Sequence, residues 1–202
     1  MDSAGYRPTQ SAASAPQATT SAKIVIAGGF GVGKTTLVGS VSEIVPLTTE
    51  AVMTEASAGV DDLAATPNKT TTTVAMDFGR VSLDSDLILY LFGTPGQHRF
   101  WFMWDDLTRG AIGAVVLVDT RRLADCFAAI DFFEDRGIPY LVALNQFNGV
   151  LAHEVQDVRE ALAIAPHVPI VICDARDRES TKDTLISLVE HAMQMRMAQA
   201  SR

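Results

Sequence analysis

The chain has 202 residues, 48% of them apolar and 20% charged, with a formal net charge of -8. That length suffices for one sizeable hydrophobic core, so one domain is the default count. The acidic balance argues against a nucleic-acid binder, which needs a basic face to displace counterions, and disfavours an anionic membrane surface as the main partner.

Residues 1–22 contain no Val, Ile, Leu or Phe and are dominated by Ala, Ser, Thr, Gln and Pro. Such a stretch buries too little apolar surface to offset its ordering entropy, which predicts a disordered tail. It lacks a signal-peptide core, Asp2 excludes a myristoylated glycine, and the closing Ala-Ser-Arg is not a prenylation box. The longest apolar run, AIGAVVLV at 111–118, is far shorter than the roughly 18 residues of a membrane span. Cys126 and Cys173 read as small buried apolar residues in a reducing compartment, not as a disulfide or metal site. A cytoplasmic protein is expected, with no transmembrane segment and any peripheral membrane association made only through a partner.

The pattern changes at Lys23. KIVIA is a short apolar run ending in glycines and predicts a buried parallel strand. Residues 35–44 suit a helix. Residues 46–72 are polar and read as one long excursion, which inside a compact domain is usually functional. Two strand-like runs, 73–83 and 86–92, predict a hairpin. Strand and helix then alternate: AIGAVVLV, a helix near 124–136, PYLVALN, a helix near 153–162, PIVIC, and a closing helix from about 181 to 197. That alternation predicts a parallel α/β sheet with helices on both faces.

Between the first strand and first helix lies Gly28-Gly29-Phe30-Gly31-Val32-Gly33-Lys34-Thr35, followed by Thr36. It satisfies the G-x-x-x-x-G-K-[ST] pattern in the strand-to-helix context that gives the pattern meaning. Glycines let backbone N–H groups point into one concavity, and the helix adds its free N–H groups and positive dipole end. Lys34 then neutralises the β- and γ-phosphates, and the Thr35 hydroxyl ligates Mg²⁺.

A second segment, Leu87 to Gln97, is a strand running into Thr94-Pro95-Gly96-Gln97. It resembles the second switch of Ras-like small GTPases. The resemblance extends over 23–198 and points in particular to bacterial small GTPases of the gliding-motility and polarity type. Nearer still is the actinobacterial set of ATP/GTP-binding proteins encoded in conserved operons beside roadblock-domain proteins. It implies a P-loop NTPase fold, three-layer αβα, with a six-stranded mostly parallel sheet and one antiparallel edge strand. It also implies a signalling switch that binds GTP or GDP with Mg²⁺, hydrolyses GTP slowly and controls a roadblock-type partner. Under it Gly96 senses the γ-phosphate, Gln97 orients the attacking water, and Thr72 and Thr73 belong to the first switch, Thr73 joining Thr35 on Mg²⁺.

Two departures weaken that expectation. The family's N-K-x-D base motif is Asn145-Gln146-Phe147-Asn148 here, and its S-A-K segment corresponds to Cys173-Asp174-Ala175-Arg176. Asn148 replaces an aspartate that would accept from guanine N1–H and N2–H, whereas an amide offers one acceptor oxygen. Ala175 could still give a backbone N–H to the base carbonyl. Gly93 stands where Ras-like proteins carry an aspartate that holds a Mg²⁺-bound water, which predicts weaker cation binding. Two rivals follow: a nucleotide-binding scaffold without turnover, and an ATP-using P-loop protein. Asp119 superficially resembles a Walker-B carboxylate but is assigned a structural role, and Arg80 or Arg99 are candidate arginine fingers. Finally, Phe100, Trp101, Phe102 and Trp104 follow the switch glutamine directly and predict a partner surface, since a helix there carries apolar residues around its whole circumference.

Overall fold

A computed structural model of the chain describes residues 20–45, 50–52, 71–73, 76–83, 86–96 and 98–201, with the backbone alone at 50–52, 71–73 and 98–99. Six strands form the main sheet: β1 (Thr20–Ala27), β4 (Phe78–Ser82), β5 (Leu87–Gly93), β6 (Ala111–Val118), β7 (Tyr140–Asn145) and β8 (Ile170–Cys173). Their order is β4-β5-β1-β6-β7-β8, and only the edge strand β4 is antiparallel to its neighbour. The short strands β2 (Glu50–Val52) and β3 (Thr71–Thr73) form a separate antiparallel ribbon.

Both faces of the sheet are covered, which is why its strands read as unbroken apolar runs instead of alternating ones. Ile24, Ile26, Val115 and Leu117 face α1 (Lys34–Val41) and α5 (Arg178–Ala200), meeting Leu37, Val38, Leu185 and Leu188. Their neighbours Val25, Ala114, Val116 and Val118 point the other way. There they join Trp104 of α2 (Trp104–Thr108), Ile130 and Phe133 of α3 (Phe127–Asp135) and Val158 of α4 (Val155–Ala161). Cys126 and Cys173 are buried free thiols, and burial pushes the Cys126 thiol up to about 12.

Most elements match the sequence reading, with instructive differences. Strand β1 starts at Thr20, so residues 20–22 belong to the sheet and not to the tail. Thr20, Ser21 and Ala22 pair with Leu87, Ile88 and Leu89. Ladder hydrogen bonds from β5, not apolar content, extend the strand. Residues 1–19 lie outside the described residues. The run 73–83 divides, its first residue ending β3 while β4 begins only at Phe78. The closing helix starts three residues early because the Asp177 side chain caps it, accepting from the Ser180 N–H at 2.8 Å. Among the described residues no helix is long and apolar enough to cross a membrane.

β1 has β5 on one side and β6 on the other, and the chain leaves its C-terminal end into the glycine loop. In open α/β sheets this switch point is where ligands bind.

Candidate phosphate-binding site

The glycine loop connects β1 to α1 and curls around its own lysine. Lys34 donates from Nζ to the carbonyls of Gly28 at 2.9 Å and Gly29 at 2.7 Å. Gly33, the residue before α1, has φ 106°, a left-handed conformation that glycine adopts at no steric cost. A Cβ there would also lie 2.8 Å from the Asn145 amide nitrogen. Gly31 is likewise left-handed, and Phe30 and Thr36 are exposed while Val32 is buried. Burial lowers the Lys34 ammonium to about 8, and the nearby Asp77 carboxylate opposes that shift. The free loop therefore holds a desolvated cation whose best remaining partner is an anion.

Beside the loop is an open cleft of about 340 Å³ lined by Lys34, Thr35, Asp77, Thr94, Pro95 and Gly96. Gly96 comes so near that a Cβ on it would stand 2.8 Å from Lys34 Nζ and 3.1 Å from the Gly29 carbonyl. The end of β5 and the lysine thus share one space. A slightly larger hollow, about 370 Å³, lies between Phe133, Tyr140, Val168, His191 and Met195. It has no glycine loop and no ammonium group to hold a polyphosphate.

Thr35 donates its hydroxyl to Asp77 Oδ2 at 2.8 Å. Sequence reasoning passed over Asp77, which has no motif of its own. It precedes β4, and the antiparallel register brings it opposite Gly93, whose N–H donates to the Asp77 carbonyl at 2.8 Å. Thr94 Oγ1, in the same cleft, is the one buried side-chain oxygen among the described residues without a hydrogen-bond partner. A hydroxyl, a carboxylate and an unsatisfied oxygen suit a hydrated hard cation. No group of three or more His, Cys, Asp or Glu gathers among the described residues, so such a cation needs phosphate oxygens to complete its shell.

On the base side Asn145 ends β7, nearly buried. Its amide donates to the Val32 carbonyl at 2.9 Å, and its Oδ1 accepts from the Ala175 N–H at 3.1 Å. The Ala175 N–H, expected to meet the base carbonyl, is therefore engaged within the protein. Asn148 is left-handed at φ 53°, and its Oδ1 accepts from Arg176 at 3.0 Å. Arg176 also grips Asp174 with Nε at 3.0 Å and Nη2 at 2.9 Å, which holds that carboxyl below its usual range. Gln146 follows β7 directly, and its N–H donates to the Cys173 carbonyl at 2.7 Å.

Of the remaining predicted residues, Gln97 lies outside the described residues, and Thr72 and Thr73 are described by backbone alone. Asp119 accepts from the Arg121 N–H and guanidinium, so it organises its own turn. Arg80 pairs with Glu43 beyond the far end of α1, because β4 runs away from the cleft after Asp77. The side chain of Arg99 is not among those described. Arg122, not anticipated, does reach the loop and donates to the Phe30 carbonyl at 2.9 Å. The aromatic segment needs correcting. It forms a 3-10 turn over His98–Met103 and then α2, and Phe100 and Trp104 turn inward. Trp104 packs on Phe132 and Phe133, so Phe100 and Trp104 are core, and half-buried Trp101 packs against the same core beside Trp104, which leaves Phe102 exposed.

The sheet order, the glycine loop and the Lys34–Gly96 meeting define a P-loop nucleotide-binding protein with a G-domain fold. Comparison with known proteins agrees. Residues 26–195 match the family described as "Conserved hypothetical ATP binding protein", and the chain belongs to that family. An uncharacterized protein of Methanocaldococcus jannaschii is 29% identical over 126 residues, spanning 61% of this chain and 69% of that protein. Among solved structures, the FeoB G-domain from Methanococcus jannaschii superimposes with a TM-score of 0.58. It covers 87% of this chain and 99% of the G-domain at 15% identity, a likeness of fold.

Proposed function

We propose that the protein is a Mg²⁺-dependent nucleotide switch that binds a purine nucleoside di- or triphosphate and slowly hydrolyses the triphosphate. The observation that carries this reading is the closeness of Gly96 to Lys34 across the loop. A γ-phosphate held by the ammonium group is then within reach of the backbone that leads into Gln97. Binding orders that segment, Gln97 places the attacking water, and loss of the γ-phosphate releases it. The cation, when bound, supplies charge neutralisation to the β- and γ-phosphate oxygens. Thr35 offers its hydroxyl oxygen to it, and Thr73 is the first-switch candidate. Exposed Phe102, with the accessible edge of half-buried Trp101 beside it, marks the surface that a roadblock-type partner would read.

The resemblance to small GTPases favours GTP. A second reading, ATP, draws on a specific observation: Arg176 occupies Asn148 Oδ1, leaving the amide as a donor, which suits adenine N1 and not guanine N1–H. The two separate in one experiment. The nucleotide that co-purifies is identified, and single turnover is followed with GTP, ATP and XTP, with and without Mg²⁺. Turnover of one triphosphate that slows in Gln97→Leu supports the switch. Binding without turnover would reduce the protein to a scaffold, and no binding of any would refute the reading.

A further inference from the structure

The hollow between α3, α5 and the start of β7 contains a polar group that the fold does not use. Leu185 and Leu188 of α5 pack into the core, and His191, three residues after Leu188, falls on the same buried stripe. It is 6% exposed and lines the hollow of about 370 Å³, yet neither ring nitrogen bonds to another described residue. Among the described residues only Thr94 Oγ1 is both unpartnered and wholly sealed, so the His191 nitrogens keep access to the space they border. The Tyr140 hydroxyl on the same wall is satisfied, donating to Glu134 Oε1 at 2.6 Å. Phe133, Ile138, Val168 and Met195 make the wall apolar, and the Phe133 and Tyr140 rings stack with centroids 6.3 Å apart.

Burial, and then the neighbouring His167, lower the His191 pKa, so the imidazole is uncharged near pH 7 and keeps one acceptor nitrogen. A nearly buried imidazole without a partner costs stability that a leucine in its place would not. A guest that donates a hydrogen bond to it recovers that cost. An ion is a poor guest, because Glu134 repels an anion and apolar walls desolvate either sign.

We propose that this hollow is a second ligand site that takes an uncharged aromatic molecule bearing one O–H or N–H donor, its ring against the apolar wall and its donor on His191. The volume lies at the small end of the usual range for ligand pockets, about 300–1,000 Å³. The hollow sits where β7 starts, at Tyr140, whereas Asn145 at the other end of that strand touches the glycine loop. Strand rise of about 3.3 Å per residue separates the two sites by roughly 16 Å, so both can be filled at once.

The test titrates the full chain with indole and with indene, which has nearly the same shape but no N–H donor. NMR follows the ring signals of His191 and Tyr140 and the methyl of Met195. Indole shifts all three and binds about 10- to 100-fold tighter than indene, which leaves the imidazole unpaired. In His191→Leu that preference shrinks to within about twofold while the urea midpoint stays equal or rises, a separation that a purely structural histidine does not give. His191→Gln, which keeps an acceptor, retains a preference for indole. No binding of either probe, equal affinities in the unchanged protein, or a preference that survives in His191→Leu overturns the proposal. So does binding that shifts Gly33 and Lys34 and leaves His191 unmoved, which would place the guest at the phosphate loop. The nucleotide reading stands or falls separately from each of these results.

Discussion

Replacing Asn145 by Ala tests whether one side chain braces the phosphate loop against the base loop. Its amide bridges the Val32 carbonyl and the Ala175 N–H, at 2.9 and 3.1 Å. Val32 is 3% and Ala175 1% exposed, so solvent reaches neither group readily after truncation. Each buried polar group left without a partner costs about 1–3 kcal/mol. Partial relief by a water entering from the cleft argues for the lower half of that range, giving about 2–4 kcal/mol for the nucleotide-free protein. That is a large share of the roughly 5–15 kcal/mol that holds a typical domain together. Urea unfolding at unchanged slope measures it. Asn145→Asp is the control: it still accepts from Ala175 but sets a carboxylate against the Val32 carbonyl, so it distorts the phosphate loop more than the base loop. A loss below about 0.5 kcal/mol for Asn145→Ala, the ordinary surface level, would refute the brace.

Three further outcomes are expected. Because burial holds Lys34 near 8 against an ordinary value of 10.5, the unfolded chain carries a proton the folded one lacks between those pH values. Stability of the free protein therefore rises with pH across that window, and nucleotide binding takes up a proton there, so affinity falls above pH 8. Calorimetry near pH 9 in two buffers of different ionisation heat reads the uptake; Lys34→Met abolishes it, and no uptake in the unchanged protein would refute the assignment. Asn148→Asp restores a double acceptor and should tighten GDP by about 10- to 100-fold while leaving ADP unimproved, and equal gains for both would remove Asn148 from base selection. Gln97→Leu should slow triphosphate turnover while sparing affinity, and unchanged single-turnover rates would take Gln97 out of the mechanism.

Local features of this protein were readable in its sequence and pairings across the sheet were not. The loop from Gly28 to Thr35 declares itself because each glycine answers a local backbone need. AIGAVVLV coincides with β6 because both its faces are buried. Asp77 stayed hidden because its meaning comes from the register of β4 on β5, which no spacing along the chain encodes. Thr20 to Ala22 looked like tail because β5, not their own composition, holds them. The aromatic segment misled for a related reason. Its residues do point in several directions, but Phe132 and Phe133 of α3 cover Trp104, and a covering element cannot be seen from the covered one.

The direction of β4 explains how a residue outside the parallel strands reaches the cleft. Ligands gather where β1 and β5 finish, at the C-terminal end of the parallel strands. A parallel neighbour would bring only its own end there. An antiparallel neighbour brings its beginning, so the residue just before β4 arrives beside the last residue of β5. Asp77 and Gly93 are 16 positions apart in sequence (93 minus 77) yet occupy one volume.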